Sequence, residues 1–133
     1  MKRKYFIATL LLIVACQKEI NQPSQDIQGT WELESSYSAW SVAHTYAPGN
    51  GNTYNFKGNT YSQKIIATDT TYQYSGIFNI YTGKPCENAV EQTLINFDNG
   101  NAPAAFSLSN GKLTIATTEC IADGGGSTYI KVR

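Results

Sequence analysis

The side chains that most often carry out catalysis are few in this sequence and are not grouped. His44 is the only histidine, and neither a cysteine nor a carboxylate adjoins it. The chain has no nucleophile elbow, histidine-based metal motif or phosphate-binding loop. Residues 49–52 and 98–101 are rich in Gly and Asn but lack the alternating acidic ligands of a calcium loop. Four glutamates alternate with apolar residues or adjoin turns, and we interpret them as solvent-exposed and not catalytic. They are Glu32, Glu34, Glu87 and Glu91. We therefore expect no catalytic residue, no metal and no cofactor, and predict a protein that is not an enzyme.

The reactive group with the most specific setting is the thiol of Cys16. Residues 2–4 are basic, residues 5–14 are almost entirely apolar, and the small Ala15 precedes the cysteine. A basic head, an apolar run too short to cross a bilayer permanently and a small residue at the cut indicate an export signal. Residues 13–16 (Ile-Val-Ala-Cys) resemble the lipobox of bacterial lipoproteins. The resemblance implies cleavage before Cys16, a diacylglycerol on its thiol and acylation of the new N-terminus. The alternatives are an ordinary cleaved signal with an incidental cysteine, or a core helix, which should be polar on one face.

The chain divides into three parts on this interpretation. Residues 1–15 are the signal peptide, residues 16–28 the lipidated cysteine and a polar, flexible tether, and residues 29–133 a single domain, which we expect to be monomeric. The implied location is the bacterial outer membrane, and residues 18–19 (Lys-Glu) match a surface-directing tract too weakly to decide between its periplasmic and outer faces. Cleavage leaves seven basic residues against ten acidic ones, a net charge of about −3, so nucleic acid is not an expected partner.

Two further cysteines, Cys86 and Cys120, belong to the domain. In an oxidising compartment, a leftover pair in a small domain most often forms a disulfide. By the chain-entropy estimate, a disulfide that closes a loop of this length raises the free energy of unfolding by roughly 3–4 kcal/mol. The competing interpretation, two free thiols or two metal ligands, lacks neighbouring His or Cys residues.

Aromatic and β-branched residues, interleaved with turn-forming Gly, Asn and Pro, favour strands over helices. Apolar and polar residues alternate, as in half-buried strands, in eight segments: 29–37, 54–56, 60–67, 71–81, 90–97, 104–108, 112–116 and 127–132. Asn110 and Gly111 predict a type I′ hairpin turn between two of them. Within residues 38–53 a short helical turn and an irregular loop fit equally well. The connections are short and lack a helical crossover, so we predict an all-β fold, a small eight-stranded antiparallel up-and-down barrel.

Residues 29–31 (Gly-Thr-Trp) resemble the Gly-x-Trp that opens the first strand of lipocalins, and the resemblance spans residues 28–133. It is closest to small bacterial lipocalin-like lipoproteins, which share a glycine-rich segment before the last strand, here residues 123–129. The resemblance implies a barrel floor made by Gly29 and Trp31, with Arg133 stacked across the indole by a cation–π contact. The domain is shorter than a full lipocalin, so a shallow or closed cavity is expected.

Aromatic residues provide the candidate binding surface. Six of them should share one face of successive strands: Tyr54, Phe56, Tyr72, Tyr74, Phe78 and Phe106. They form either the packed core of the barrel or, in part, the wall of an apolar pocket with tyrosine hydroxyls as its polar groups.

The leading functional hypothesis is non-catalytic binding or carriage of a small apolar or amphipathic molecule in or at the mouth of the barrel. The alternative is an envelope interaction protein with a solid core, which binds a protein or glycan through its loops. Residues 38–53 would then supply the contacts, in particular Trp40, His44 and Tyr46, because exposed loop aromatics are typical recognition groups.

Overall fold

The computed structural model describes residues 26–133, and this part of the chain forms nine β-strands. Their bounds are β1 Gly29–Ser38, β2 Ser41–Thr45, β3 Thr53–Lys57, β4 Thr60–Ile66, β5 Thr71–Gly83, β6 Gln92–Phe97, β7 Ala104–Ser109, β8 Lys112–Ala116 and β9 Gly125–Lys131. Eight of the strands coincide with predicted segments. The ninth, β2, lies within residues 38–53, whose structure the sequence left open. The predicted signal peptide, the lipidated Cys16 and most of the tether lie outside the described residues.

The sheet closes because β1 pairs with strands on both of its edges. Every pairing is antiparallel, and consecutive strands from β3 to β9 are neighbours. Residues 31–38 of β1 pair with β9 on one edge, and residues 29–32 pair with β3 on the other. The extra strand β2 pairs with residues 35–38 of β1, beyond the end of β3. The predicted eight-stranded antiparallel barrel is confirmed, with one additional strand at its rim.

The turn between β7 and β8 has the predicted hairpin geometry. Ser109 pairs with Lys112, which leaves Asn110 and Gly111 as the two turn residues. Both have positive φ, 52° at Asn110 and 72° at Gly111, as a type I′ turn requires. Local sequence therefore fixes the register of this hairpin, and with it the face on which its apolar residues lie.

The barrel interior is an aromatic core. The Tyr54 ring stacks on Phe56 and on Phe97, with ring centroids 5.4 and 5.7 Å apart. It also meets the Tyr129 ring edge to face at 5.3 Å. Such offset and edge-to-face pairs add to the free energy of burial. The buried residues of this cluster are Ile27, Trp31, Tyr54, Phe56, Tyr61, Phe78, Ile95, Phe106, Leu113 and Tyr129.

A disulfide joins Cys86, in the β5–β6 connection, to Cys120, in the β8–β9 connection. The predicted pairing is confirmed. Both connections carry a buried residue, Ala89 in one and Thr118 in the other. Leu94 is fully buried although it alternates with the core residue Ile95 and so faces outward. We attribute this burial to the two cross-linked connections, which cover the outer face of the barrel.

Within residues 26–133, no helix reaches the length and apolar character needed to cross a membrane.

Candidate ligand-binding site at the open end of the barrel

One end of the barrel is closed by Trp31, whose side chain is only 2% exposed. Its indole Nε1–H donates a 2.6 Å hydrogen bond to the carbonyl of the fully buried Ile27. The Lys131 ammonium lies 5.4 Å from the centre of the indole ring, since Lys131 is directly opposite Trp31 in the β1–β9 pairing. The structure thus places Lys131 where the sequence interpretation placed Arg133. Arg133 is exposed and lies two residues after Lys131, beyond the end of β9. Gly29 has φ of 112°, and a Cβ there would lie 3.2 Å from the Lys131 side chain.

The six aromatic residues predicted to share a face do so by register. Tyr54 and Tyr74 both pair with Gln63, and Phe56 pairs with Tyr61, which pairs with Gly76. They nevertheless fall into two groups. Four are buried in the core, namely Tyr54, Phe56, Phe78 and Phe106. Tyr72 and Tyr74 are 47% and 51% exposed, because the β4–β5 hairpin continues beyond the part of β5 that β6 covers.

The end of the barrel remote from Trp31 holds a cavity of about 220 Å³, which we call the mouth cavity. Its apolar lining is provided by Leu33, Ile65 and the rings of two tyrosines. Its polar lining consists of hydroxyl and amide groups, and Lys64 borders it from the outward face of β4. The lining residues are Leu33, Ser36, Tyr46, Asn52, Thr53, Gln63, Lys64, Ile65, Ser127 and Tyr129. This set contains no carboxylate, so the cavity is a poor site for a cation.

Four hydroxyl groups form a cluster on the β1–β9 side of the mouth cavity. Ser36 and Ser127 are directly opposite each other across β1 and β9. The Ser36 Oγ lies 3.2 Å from the hydroxyl of Tyr46, and Ser127 hydrogen-bonds the Tyr129 hydroxyl. Burial raises the pKa of Tyr129 to about 12, with the Tyr129–Ser127 hydrogen bond acting in the opposite direction. Tyr129 therefore keeps its proton at neutral pH and can donate a hydrogen bond.

The loop beside this cluster is held in place by side chains. Both carboxylate oxygens of Glu32 accept backbone N–H groups, from Gly49 at 2.9 Å and from Gly51 at 3.1 Å. The Asn50 amide donates to the carbonyl of Leu33 at 2.9 Å, and Asn52 accepts the backbone N–H of Ile66 at 2.7 Å. These bonds tie residues 47–52 to β1 and β4, so this wall of the cavity is already formed.

Apolar side chains border the cavity on the β4–β5 hairpin. Ile65 lines the cavity and pairs directly with the exposed Tyr72, while Gln63 pairs with Tyr74. A second, more open concavity of about 490 Å³ runs along β3, β4 and β5 and includes Tyr74. Ser62, Lys64, Gln73 and Ser75 alternate with the inward-facing residues of β4 and β5, so this concavity lies on the outer face of the sheet.

β2 presents a different surface. All five of its residues are exposed, and Val42 is 90% exposed. Trp40, in the turn before it, is 83% exposed. The His44 ring instead contacts Tyr46 edge to face, with centroids 4.6 Å apart. Of the three aromatic residues expected to act as loop contacts, Trp40 is thus the one most free to meet a partner.

Several cavity residues were absent from the predicted site. Ser127 and Tyr129 alternate within β9, and that pattern alone could have indicated a shared inward face. Ser36 could not have been found in this way. The pairing of β1 with β9 shifts between Leu33 and Ser35, and this bulge changes which residues face inward. In the described residues, no group of three or more His, Cys, Asp or Glu side chains lies close enough together to hold a metal ion.

Comparison with protein-family models, curated proteins and solved structures finds no match to this chain. The fold and the mouth cavity define a closed β-barrel compatible with binding a small molecule.

Proposed function

We propose that this chain is a lipid-anchored envelope protein whose barrel binds a small amphipathic molecule, without catalysis, at its open end. The observation that carries the proposal is the mouth cavity, which has hydroxyl groups on its β1–β9 side and borders the partly exposed apolar side chains of Ile65, Tyr72 and Tyr74. A lining of this kind matches a molecule that has both a polar and an apolar part.

The packed core supports binding at the mouth rather than deep in the barrel. Tyr54 is directly opposite Trp31 in the β1–β3 pairing, and it and Phe56 are buried with their rings in contact, so the interior at the level of Trp31 is filled. A cavity of about 220 Å³ also lies below the range of roughly 300–1,000 Å³ typical of ligand pockets. The mouth cavity therefore fits a small ligand, or one end of a larger one.

Native mass spectrometry of the oxidised protein, after exposure to a lipid extract of its source, tests ligand binding. A retained mass adduct supports the proposal. The matched variants are Ser127→Leu, which places a larger side chain in the cavity, and Thr128→Leu on the opposite face of β9. We expect the first to lose the adduct and the second to keep it. If neither the wild type nor Thr128→Leu retains any adduct, binding at this site is refuted.

Membrane attachment is supported by the pattern of residues 1–16, with Cys16 as the acceptor of the lipid. Dual acylation gives stable anchoring, since each buried methylene contributes about 0.8 kcal/mol. Replacing Cys16 by Ala should release the protein from membranes or leave the precursor uncut. If this variant still matured and fractionated with membranes, lipid attachment at Cys16 would be ruled out.

A second candidate function rests on the exposed apolar surface at β2. Trp40 and Val42 project from the rim without burial in the described domain. Large exposed apolar side chains grouped on one surface are typical of protein interaction sites. An envelope protein or glycan that is captured by the wild type and lost with Trp40→Ser, while Ser127→Leu still captures it, would favour this function.

A further inference from the structure

We propose that the ligand of the mouth cavity enters with its hydrogen-bond-accepting, anionic head first, and that its apolar chain lies outward along Ile65, Tyr72 and Tyr74. This inference rests on the proposed function. It differs from the usual expectation for a barrel carrier, in which the apolar part of the ligand fills the interior.

The hydroxyl groups lie on the more buried side of the site, whereas Ile65, Tyr72 and Tyr74 are exposed. Tyr129 is buried, hydrogen-bonds Ser127 and lines the cavity together with Ser36 and Tyr46. An apolar chain inserted here would cover hydroxyl groups without giving them partners, at a cost of roughly 1–3 kcal/mol for each group left unsatisfied. A polar head placed here meets several donors instead.

The charge of the lining indicates what kind of head would bind. The hydroxyl groups and two amides of the lining can donate hydrogen bonds, and no carboxylate lines the cavity. Charge-assisted hydrogen bonds are about twice as strong as neutral ones. A carboxylate head therefore suits the cavity better than a quaternary ammonium, which cannot accept a hydrogen bond.

The apolar surface lies outside the cavity and is continuous with it. Ile65 belongs to the cavity lining and pairs with Tyr72, and Tyr74 is the next residue on the same face of β5. Elsewhere this face forms the buried core, yet here Tyr72 and Tyr74 are about half exposed. An acyl chain emerging from the cavity meets this surface directly, and its contact removes apolar area from water on both sides.

Photocrosslinking locates the chain. The probe is dodecanoic acid with a diazirine next to its terminal methyl group, added to the full chain in its membrane or in lipid nanodiscs. Head-first binding predicts crosslinks on β4 and β5 around Tyr72 and Tyr74. Tail-first binding predicts crosslinks around Leu33 and Tyr129. The second pattern would overturn the inference and leave the proposed function standing.

Matched variants test the same point by affinity. Full burial of a methylene corresponds to about a fourfold gain in affinity, so contact on one side gives about twofold per methylene. We therefore expect the affinity of the wild type to rise about twofold per methylene from hexanoate to dodecanoate. Tyr74→Ser should reduce the affinity for the longer acids and leave the affinity for hexanoate unchanged. Tyr81→Ser, which changes an exposed tyrosine on the outward face of β5, is the control.

The head is tested with octanoate and octyltrimethylammonium as competitors for the crosslink. Octanoate should compete at least tenfold better in the wild type. Ser36→Ala, which removes a hydroxyl donor from the lining, should reduce this preference severalfold, whereas Thr128→Ala, on the opposite face of β9, should not. Equal competition by both molecules would refute the anionic head. Absence of any saturable crosslink would remove both this inference and the proposed function.

Discussion

Replacement of Trp31 by Phe tests whether the closed end of the barrel is built as described. The substitution keeps an aromatic ring but removes the Nε1–H that donates to the Ile27 carbonyl. Ile27 is fully buried, so its carbonyl loses this donor where water cannot easily replace it, at a cost of about 1–3 kcal/mol. The smaller ring also leaves a void, which costs about 1 kcal/mol for a space the size of a methyl group. We expect a loss of about 2–4 kcal/mol in the free energy of unfolding.

The second tryptophan of the chain provides the control. Trp40 is 83% exposed, so Trp40→Phe should change the free energy of unfolding by less than about 0.5 kcal/mol. Urea unfolding, followed by far-UV circular dichroism, measures both variants without dependence on indole fluorescence. In the Trp40→Phe variant, the remaining indole emission reports on Trp31 alone and should be blue-shifted in the folded state.

The outcome that contradicts this account is equal stability of the two variants. It would mean that the Trp31 indole N–H contributes no more than an exposed group. Red-shifted emission from the Trp40→Phe variant would contradict it independently, because it would place the Trp31 indole in water.

Three further predictions concern the rest of the domain. Reduction of the Cys86–Cys120 disulfide should lower the free energy of unfolding by about 3–4 kcal/mol. Urea unfolding with and without reductant measures this loss, and the stability of a Cys86→Ala/Cys120→Ala variant should not change with the reductant. Stability should also fall as the pH rises from about 10 to 12. Tyr129 ionises near pH 10 when unfolded but has a folded pKa of about 12, so the unfolded state binds fewer protons in this range. Its share of the loss is about 2–3 kcal/mol, and Tyr129→Phe should make the decline shallower by that amount. Burial also raises the pKa of Tyr54, so part of the decline should remain in this variant. Gly111→Ala should cost about 1–2 kcal/mol because φ is 72° there, whereas Gly111→Asn should cost less, and a thermal melt showing the two variants alike would argue against a type I′ turn.

The sequence predicted the barrel well because its strands carry local signals. Alternation within each strand and turn residues between them are determined by neighbouring positions, as at Asn110 and Gly111. The cysteine pair followed from composition in the same way. β2 escaped prediction because its five residues are all exposed, and a strand without a buried face shows no alternation of period two.

The candidate site was predicted less completely because it depends on where strands end relative to one another. Tyr74 and Phe78 occupy the same face of β5, yet one is half exposed and the other buried. The difference arises because β6 covers β5 only from Phe78 onward. Strand stagger of this kind is a property of barrel closure, and no pattern within β5 encodes it.

The position of Ile27 has a consequence for the orientation of the whole molecule. Ile27 accepts the Trp31 hydrogen bond at the closed end, and β1 runs from there toward the open end. Any attachment that precedes Asp26 therefore joins the domain at the face opposite the mouth cavity. If the proposed lipid is on Cys16, the chain from the anchor would enter the domain at its closed end, beside Trp31 and Lys131. A ligand of the mouth cavity would then enter at the end of the barrel away from the attachment point rather than beside it.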